Sequence, residues 1–112
     1  MKIRLSIVRP DILAQVRIAV SKLQKAIWAG DMDAADAATD KLISLTANCR
    51  SVDLSERDWR RFLSKIRNSD PSFESGYLLS GEICDDILPT VTANDFVLEL
   101  PIDSEETDEN DL

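Results

Sequence analysis

Histidine is absent from this 112-residue chain. That removes the commonest general base, the usual activator of a nucleophile and the commonest zinc ligand. Glycines stand only at 30, 76 and 81, too scattered for a phosphate-cradling loop of either standard pattern. The two cysteines, Cys49 and Cys84, form no CxxC pair. They read as small buried hydrophobes, and a disulfide between them is open only outside a reducing compartment. Aromatics are 5% of the residues, so the core must be built from Leu, Ile, Val and Ala. With four prolines and three glycines, long helices are favoured over many short strands. No apolar run approaches the ~20 residues that cross a bilayer. Met1 to Val8 alternates charged and apolar side chains where a signal peptide would carry an apolar centre. The expected setting is therefore the cytoplasm, with no membrane.

A further absence is local. No Lys or Arg follows Arg67. Residues 1–67 hold thirteen bases and eight acids, a net +5, whereas residues 68–112 hold thirteen acids and no base, a net −13. Residues 103–112 carry six of those acids and no aromatic, the composition of a solvated, mobile tail. The expected organisation is one globular domain over 1–102 and an acidic tail over 103–112.

Ile3, Leu5 and Ile7 alternate with Lys2, Arg4 and Ser6, which predicts a strand over 2–8 with one buried face. Pro10 suits the first turn of a helix. Leu13, Val16, Val20, Leu23 and Ile27 follow 3-4-3-4 spacing, an apolar stripe along one helical face. Gly30 is placed to end that helix in a left-handed cap, and Asp31 to cap the next. The second helix repeats the spacing at Ala35, Ala38, Leu42, Leu45 and Cys49. Two matched stripes joined by a short turn predict an antiparallel hairpin over about 10–49. Ser55-Glu-Arg-Asp58 reads as a capping-box variant, with Asp in place of the usual Glu or Gln, opening a third helix near 55–67 that Ser69-Asp-Pro71 stops. Residues 72–80 read as irregular. Ser80 is placed to cap a short helix that Pro89 closes. Phe96, Leu98 and Leu100 predict a second strand ending at Pro101. Its pairing with the first would set Lys2 or Arg4 opposite Asp95 or Glu99. The expected fold class is mainly α (α+β): an antiparallel helical hairpin plus a third helix, with a small two-stranded β-ribbon from the two ends of the chain.

The segment Ala26-Ile-Trp-Ala-Gly-Asp-Met-Asp-Ala-Ala35 resembles the helix–turn–helix joint of tetratricopeptide-type hairpins. The resemblance covers roughly 40 residues and a single hairpin. It implies the hairpin geometry and no activity.

Acidic residues invite a test for metal sites. Asp33, Asp36 and Asp40 share one helical face, but no second segment nearby offers to complete a magnesium shell, so they read as a solvated face. Asp31-x-Asp33 does not continue as a calcium loop, because Asp36 stands where glycine is required and Leu42 where the closing Glu belongs. No catalytic residue, cofactor or metal is expected, and the chain reads as a non-enzyme.

Three surfaces remain as binding candidates. Trp28, at the edge of the first stripe, reads first as closing the end of the core against Met32. Left exposed, it would be an aromatic anchor of the kind that dominates interfaces. Arg57, Arg60, Arg61, Lys65 and Arg67 form a basic helix face, plainly a wet surface and secondarily a phosphate site, although a net charge of −8 opposes nucleic acid. The acidic half, with Glu82, Asp85 and Asp86 near the apolar Phe73 and Tyr77, reads as solubilising. It also suits a mimic of a nucleic-acid phosphate array, or a cover for the basic helix. The leading expectation is a small non-enzymatic protein-binding modulator whose partner is another protein with a basic surface. In type, though by no motif, it is like the inhibitors that phages and mobile elements direct against host nucleic-acid-processing enzymes. The alternatives are an adaptor, chaperone or antitoxin-like partner using its hairpin, and nucleic-acid binding through the basic third helix.

Overall fold

The computed structural model of the chain describes residues 2–74 and 76–102. Its elements run β1 (Lys2–Val8), α1 (Leu13–Ala29, entered through a 3-10 turn at Pro10–Ile12), α2 (Met32–Leu45), β2 (Ser51–Ser55), α3 (Glu56–Ser69), β3 (Leu78–Ser80), α4 (Gly81–Cys84) and β4 (Phe96–Ile102). The fold is α+β, with a four-stranded sheet, antiparallel throughout, in the order β2-β1-β4-β3.

The hairpin forms for the reasons its sequence gives. Val16, Ala19, Val20, Leu23 and Ala26 are the buried positions of α1. Gly30 adopts φ 72 and returns its N–H to the carbonyls of Ala26 and Ile27, a left-handed cap that a side chain would strain. The carboxylate of Asp31 then accepts from the Ala34 N–H at 3.1 Å and opens α2. That helix stops at Leu45, short of the expected Cys49. There the Thr46 hydroxyl donates to the Leu42 carbonyl at 2.8 Å and the chain turns toward β2. Ile27 is also displaced from the expected stripe: it lies at the margin of the core, exposed.

The sheet is larger than the expected ribbon. The pairing of β1 with β4 is present, but β2 and β3 flank it. The register sets Lys2 opposite Ile102 and Arg4 opposite Leu100, so neither faces Asp95 or Glu99 as expected. Arg4 reaches across to Asp53 on β2 instead, with Nε to Oδ1 at 2.7 Å and Nη2 to Oδ2 at 3.1 Å. The strand β4 also continues through Pro101 to Ile102. Because β3 is only three residues long, β4 is an edge on that side past Glu99, where a proline is tolerated. The helix after Ser80 is shorter than expected, a single turn ending at Cys84.

Both faces of the central strands are covered. Val8, Leu98 and Leu100 pack with the stripes of α1 and α2 on one side. On the other, Ile3, Leu5 and Val97 pack with Trp59 and Phe62 of α3, Cys84 of α4, and Leu88 and Val91. The Trp59 and Phe62 rings stack tilted, centroids 5.5 Å apart. The architecture is three layers: hairpin, sheet, then α3 with α4. Gly81 marks a close approach, since a Cβ there would collide with the Thr92 carbonyl oxygen and stand 2.9 Å from Val91 Cγ2.

Leu23→Ala is expected to cost about 2–5 kcal/mol by loss of burial and cavity formation. Gly81→Ala is expected to cost about 1–3 kcal/mol by forcing the 91–92 segment outward. Urea denaturation measures both. A loss below ~1 kcal/mol at Leu23 would contradict its place in the core.

Candidate functional site

Helical phase explains the most exposed large hydrophobic residue among those described. Trp28 lies two residues past the buried Ala26, about 200° further round the helix, so it turns away from the core that Ala26 faces. It is 88% exposed, and Met32, which the sequence reading set against it as a core lid, is 62% exposed. The core ends at Ala26 and Ala35 without either of them, which corrects that expectation. Ile18 at 59% and Ile27 at 44% complete the exposed large hydrophobics among the described residues, and all four belong to the hairpin.

Between α1 and α2 runs a groove of about 840 Å³. Alanines from both helices floor it, among them Ala19, Ala26, Ala34 and Ala38, and Ile18 stands at its wall. Lys22 and Lys25 rim one side and Lys41 the other. Asp33, Asp36 and Asp40 are exposed elsewhere on α2. Among the described residues, no group of three His, Cys, Asp or Glu side chains comes together as a metal site.

A second concave surface lies on the opposite layer. A cleft of about 540 Å³ between α3 and α4 gathers Phe73, Glu82, Asp85 and Asp86 from the predicted site residues. Phe62, Ile66 and Ile83 supply apolar lining, with Lys65 and Asp70 at its edge. The sheet separates this cleft from Trp28, so the predicted aromatic and acidic residues form two surfaces, not one. Tyr77 joins neither; it is half-buried against the hairpin-side core. The basic residues of α3 also divide. Arg57, Arg60 and Arg61 share a shallow depression with Glu56, which pairs with Arg60 at 2.7 Å. Lys65 turns to the acidic cleft, and Arg67 is exposed and lines neither surface.

The thiols are free, Cys84 buried and Cys49 half-buried. Burial, with the charges of Glu99 and Asp85 behind it, pushes the Cys84 thiol up to about 12, so it stays protonated at neutral pH and is a poor nucleophile. Glu99, expected only as a cross-strand partner of Lys2 or Arg4, is instead a buried carboxyl. It shares with Val97 the face of β4 that α3 covers, and desolvation pushes its carboxyl up to about 7, opposed by a hydrogen bond from Trp59. Its Oε1 is buried without a hydrogen-bond partner among the described residues. Tyr77 is raised as well, by burial first and then by Glu99.

No family model, no curated protein and no solved structure matches this chain. Among the described residues, no helix is long and apolar enough to cross a membrane.

Glu99 sets a pH dependence whose sign is fixed. Below about 4.5 its carboxyl is protonated in the folded and unfolded chain alike. Between about 4.5 and about 7 the folded chain keeps a proton that the unfolded chain has lost, so stability falls as pH rises through that window. Above it the penalty is constant. Glu99→Gln is expected to flatten this part of the profile, read from urea midpoints across the window. A wild-type profile no steeper than the variant's would contradict a buried carboxyl.

Proposed function

We propose that this chain is a small non-enzymatic protein-binding modulator that engages its partner through the α1–α2 hairpin. The observation that carries the reading is Trp28, 88% exposed at the hairpin tip, with exposed Ile27 just before it and exposed Met32 four residues on. A tryptophan buries about 150–250 Å² when covered, and such residues dominate interface energetics. Left in water on a helix whose fold does not need it, Trp28 has its use in a complex. A chain without histidine, whose buried thiol is held protonated, supports the non-enzymatic half of the reading. The cytoplasm is the setting we assign, consistent with two free thiols.

A second reading has its own observation. Phe73, Glu82, Asp85 and Asp86 share one cleft, an apolar floor with an acidic wall, suited to a basic partner such as a nucleic-acid-processing enzyme. An inhibitor of the phage or mobile-element type would use this face. Direct nucleic-acid binding through Arg57, Arg60 and Arg61 is third, since the whole chain carries −8.

The test is affinity purification from the native host with tagged wild type, Trp28→Ala and the triple Glu82→Gln, Asp85→Asn, Asp86→Asn. Trp28→Ala is expected to leave stability within about 0.5 kcal/mol, because its side chain is almost wholly exposed. It should weaken the retained partner by about 2 kcal/mol or more, mainly through faster dissociation. Partner loss in the acidic triple alone would move the assignment to the cleft. Full retention by both variants would contradict both readings.

A further inference from the structure

We infer that the α1–α2 groove receives an α-helix of the partner protein, one whose apolar stripe is flanked by acidic residues. The inference rests on the hairpin being the contact surface and specifies what lies on it.

The shape comes first. The groove follows α1 from Gln15 to Ala29, about 21 Å at 1.5 Å per residue, or roughly four turns of a third helix. Alanines on both of its sides keep the floor low, and helix axes packed over such small side chains approach to about 8 Å. A hairpin with a low apolar trough is two-thirds of a three-helix layer. Exposed Ile18 stands toward one end as a ready contact, and Trp28 sits beside Ala29 at the other.

Charge then selects the occupant. Lys22, Lys25 and Lys41 surround the trough, against Asp31 alone at the turn. None of the three lysines makes an ion pair among the described residues. In a chain of net −8 this is a local positive site around an apolar floor. Lysine stems can lie along apolar surface while their ammonium groups meet carboxylates at the edge of a docked helix. A second copy of the chain docking by the same face would bring lysine against lysine, which costs free energy. Nucleic acid would find phosphate partners, but no aromatic or guanidinium side chain lines the trough for bases to stack along, and Trp28 stands only at its end. An acid-flanked amphipathic helix satisfies floor and rim together, in the helix-in-groove mode.

The probe is a synthetic four-turn helical peptide with leucines at i, i+3, i+4 and i+7 and glutamates on both flanks. Its control carries lysine in place of each glutamate. With the full chain labelled for amide spectroscopy, the acidic peptide is expected to shift Ala19, Lys22, Ala26, Ala34, Ala37 and Lys41. It should bind at least about tenfold more tightly than the lysine control, an advantage that salt erodes. Lys22→Glu with Lys25→Glu and Lys41→Glu should reverse the preference. Ala34→Trp, at an exposed position that fills the trough, should abolish binding while the chain stays folded. Equal binding of the two peptides, or shifts confined to the α3–α4 cleft, would overturn the inference. So would a dimer in sedimentation that Ala34→Trp disrupts, which assigns the groove to a second copy. Groove shifts that appear on removing residues 103–112 without peptide would also overturn it, assigning the groove to the chain's own acidic end. If the peptide fails while Trp28→Ala still loses the native partner, only the occupant is wrong and the hairpin reading stands.

Discussion

The antiparallel pairing of β1 with β4 holds the three layers together. These strands come from distant parts of the chain, and between them they present Leu5, Ser6, Val97 and Leu98 with essentially no exposure on either face. Each layer of helices has its apolar face only because this pair offers a matching one. Val8, Leu98 and Leu100 seat the hairpin, while Ile3, Leu5 and Val97 seat α3 and α4. A two-stranded ribbon is marginal alone, and coverage on both sides is what makes it a core. Both concave surfaces follow from that arrangement. The trough is the outside of one layer, and the cleft is a gap between the two helices of the other.

Much of the layout could be read from residues. Period two in Ile3, Leu5 and Ile7, and 3-4 spacing from Val16 to Leu23, gave β1 and α1 their correct identities, and Gly30 and Asp31 marked the turn between helices. Long periodic segments carry that information redundantly. The flanking strands did not announce themselves. Ser51-Val-Asp-Leu-Ser55 has two apolar residues, and Leu78-Leu-Ser80 is too short for any period, so both depend on pairing with a neighbour already in place. Missing them had a consequence at Glu99. On a ribbon backed on one side, a glutamate between Leu98 and Leu100 points to water. In a sheet covered on both sides it points into α3 and its carboxyl rises to about 7.

The site was legible in part and for a similar reason. Trp28 was visible as a candidate, but its direction was a matter of phase: two residues past Ala26 is the far side of the helix. Phe73, Glu82, Asp85 and Asp86 were expected to act with it. They do gather, but around the α3–α4 cleft, across the sheet from Trp28. Lys65, from the basic half of the sequence, lines that cleft together with acids from the other half. The lysines of the hairpin take no part in it. They surround an apolar trough, so a lysine-rimmed trough and an acid-walled cleft lie on opposite layers.

The central claim is that the hairpin layer is the face a partner covers. Amide hydrogen exchange on the chain, alone and saturated with its native partner, tests it directly. The expected result is slowed exchange across residues 15–41, strongest around Trp28 and Met32, with residues 62–86 unchanged. Slowed exchange confined to residues 62–86, with the hairpin as open in the complex as in the free chain, would contradict the account.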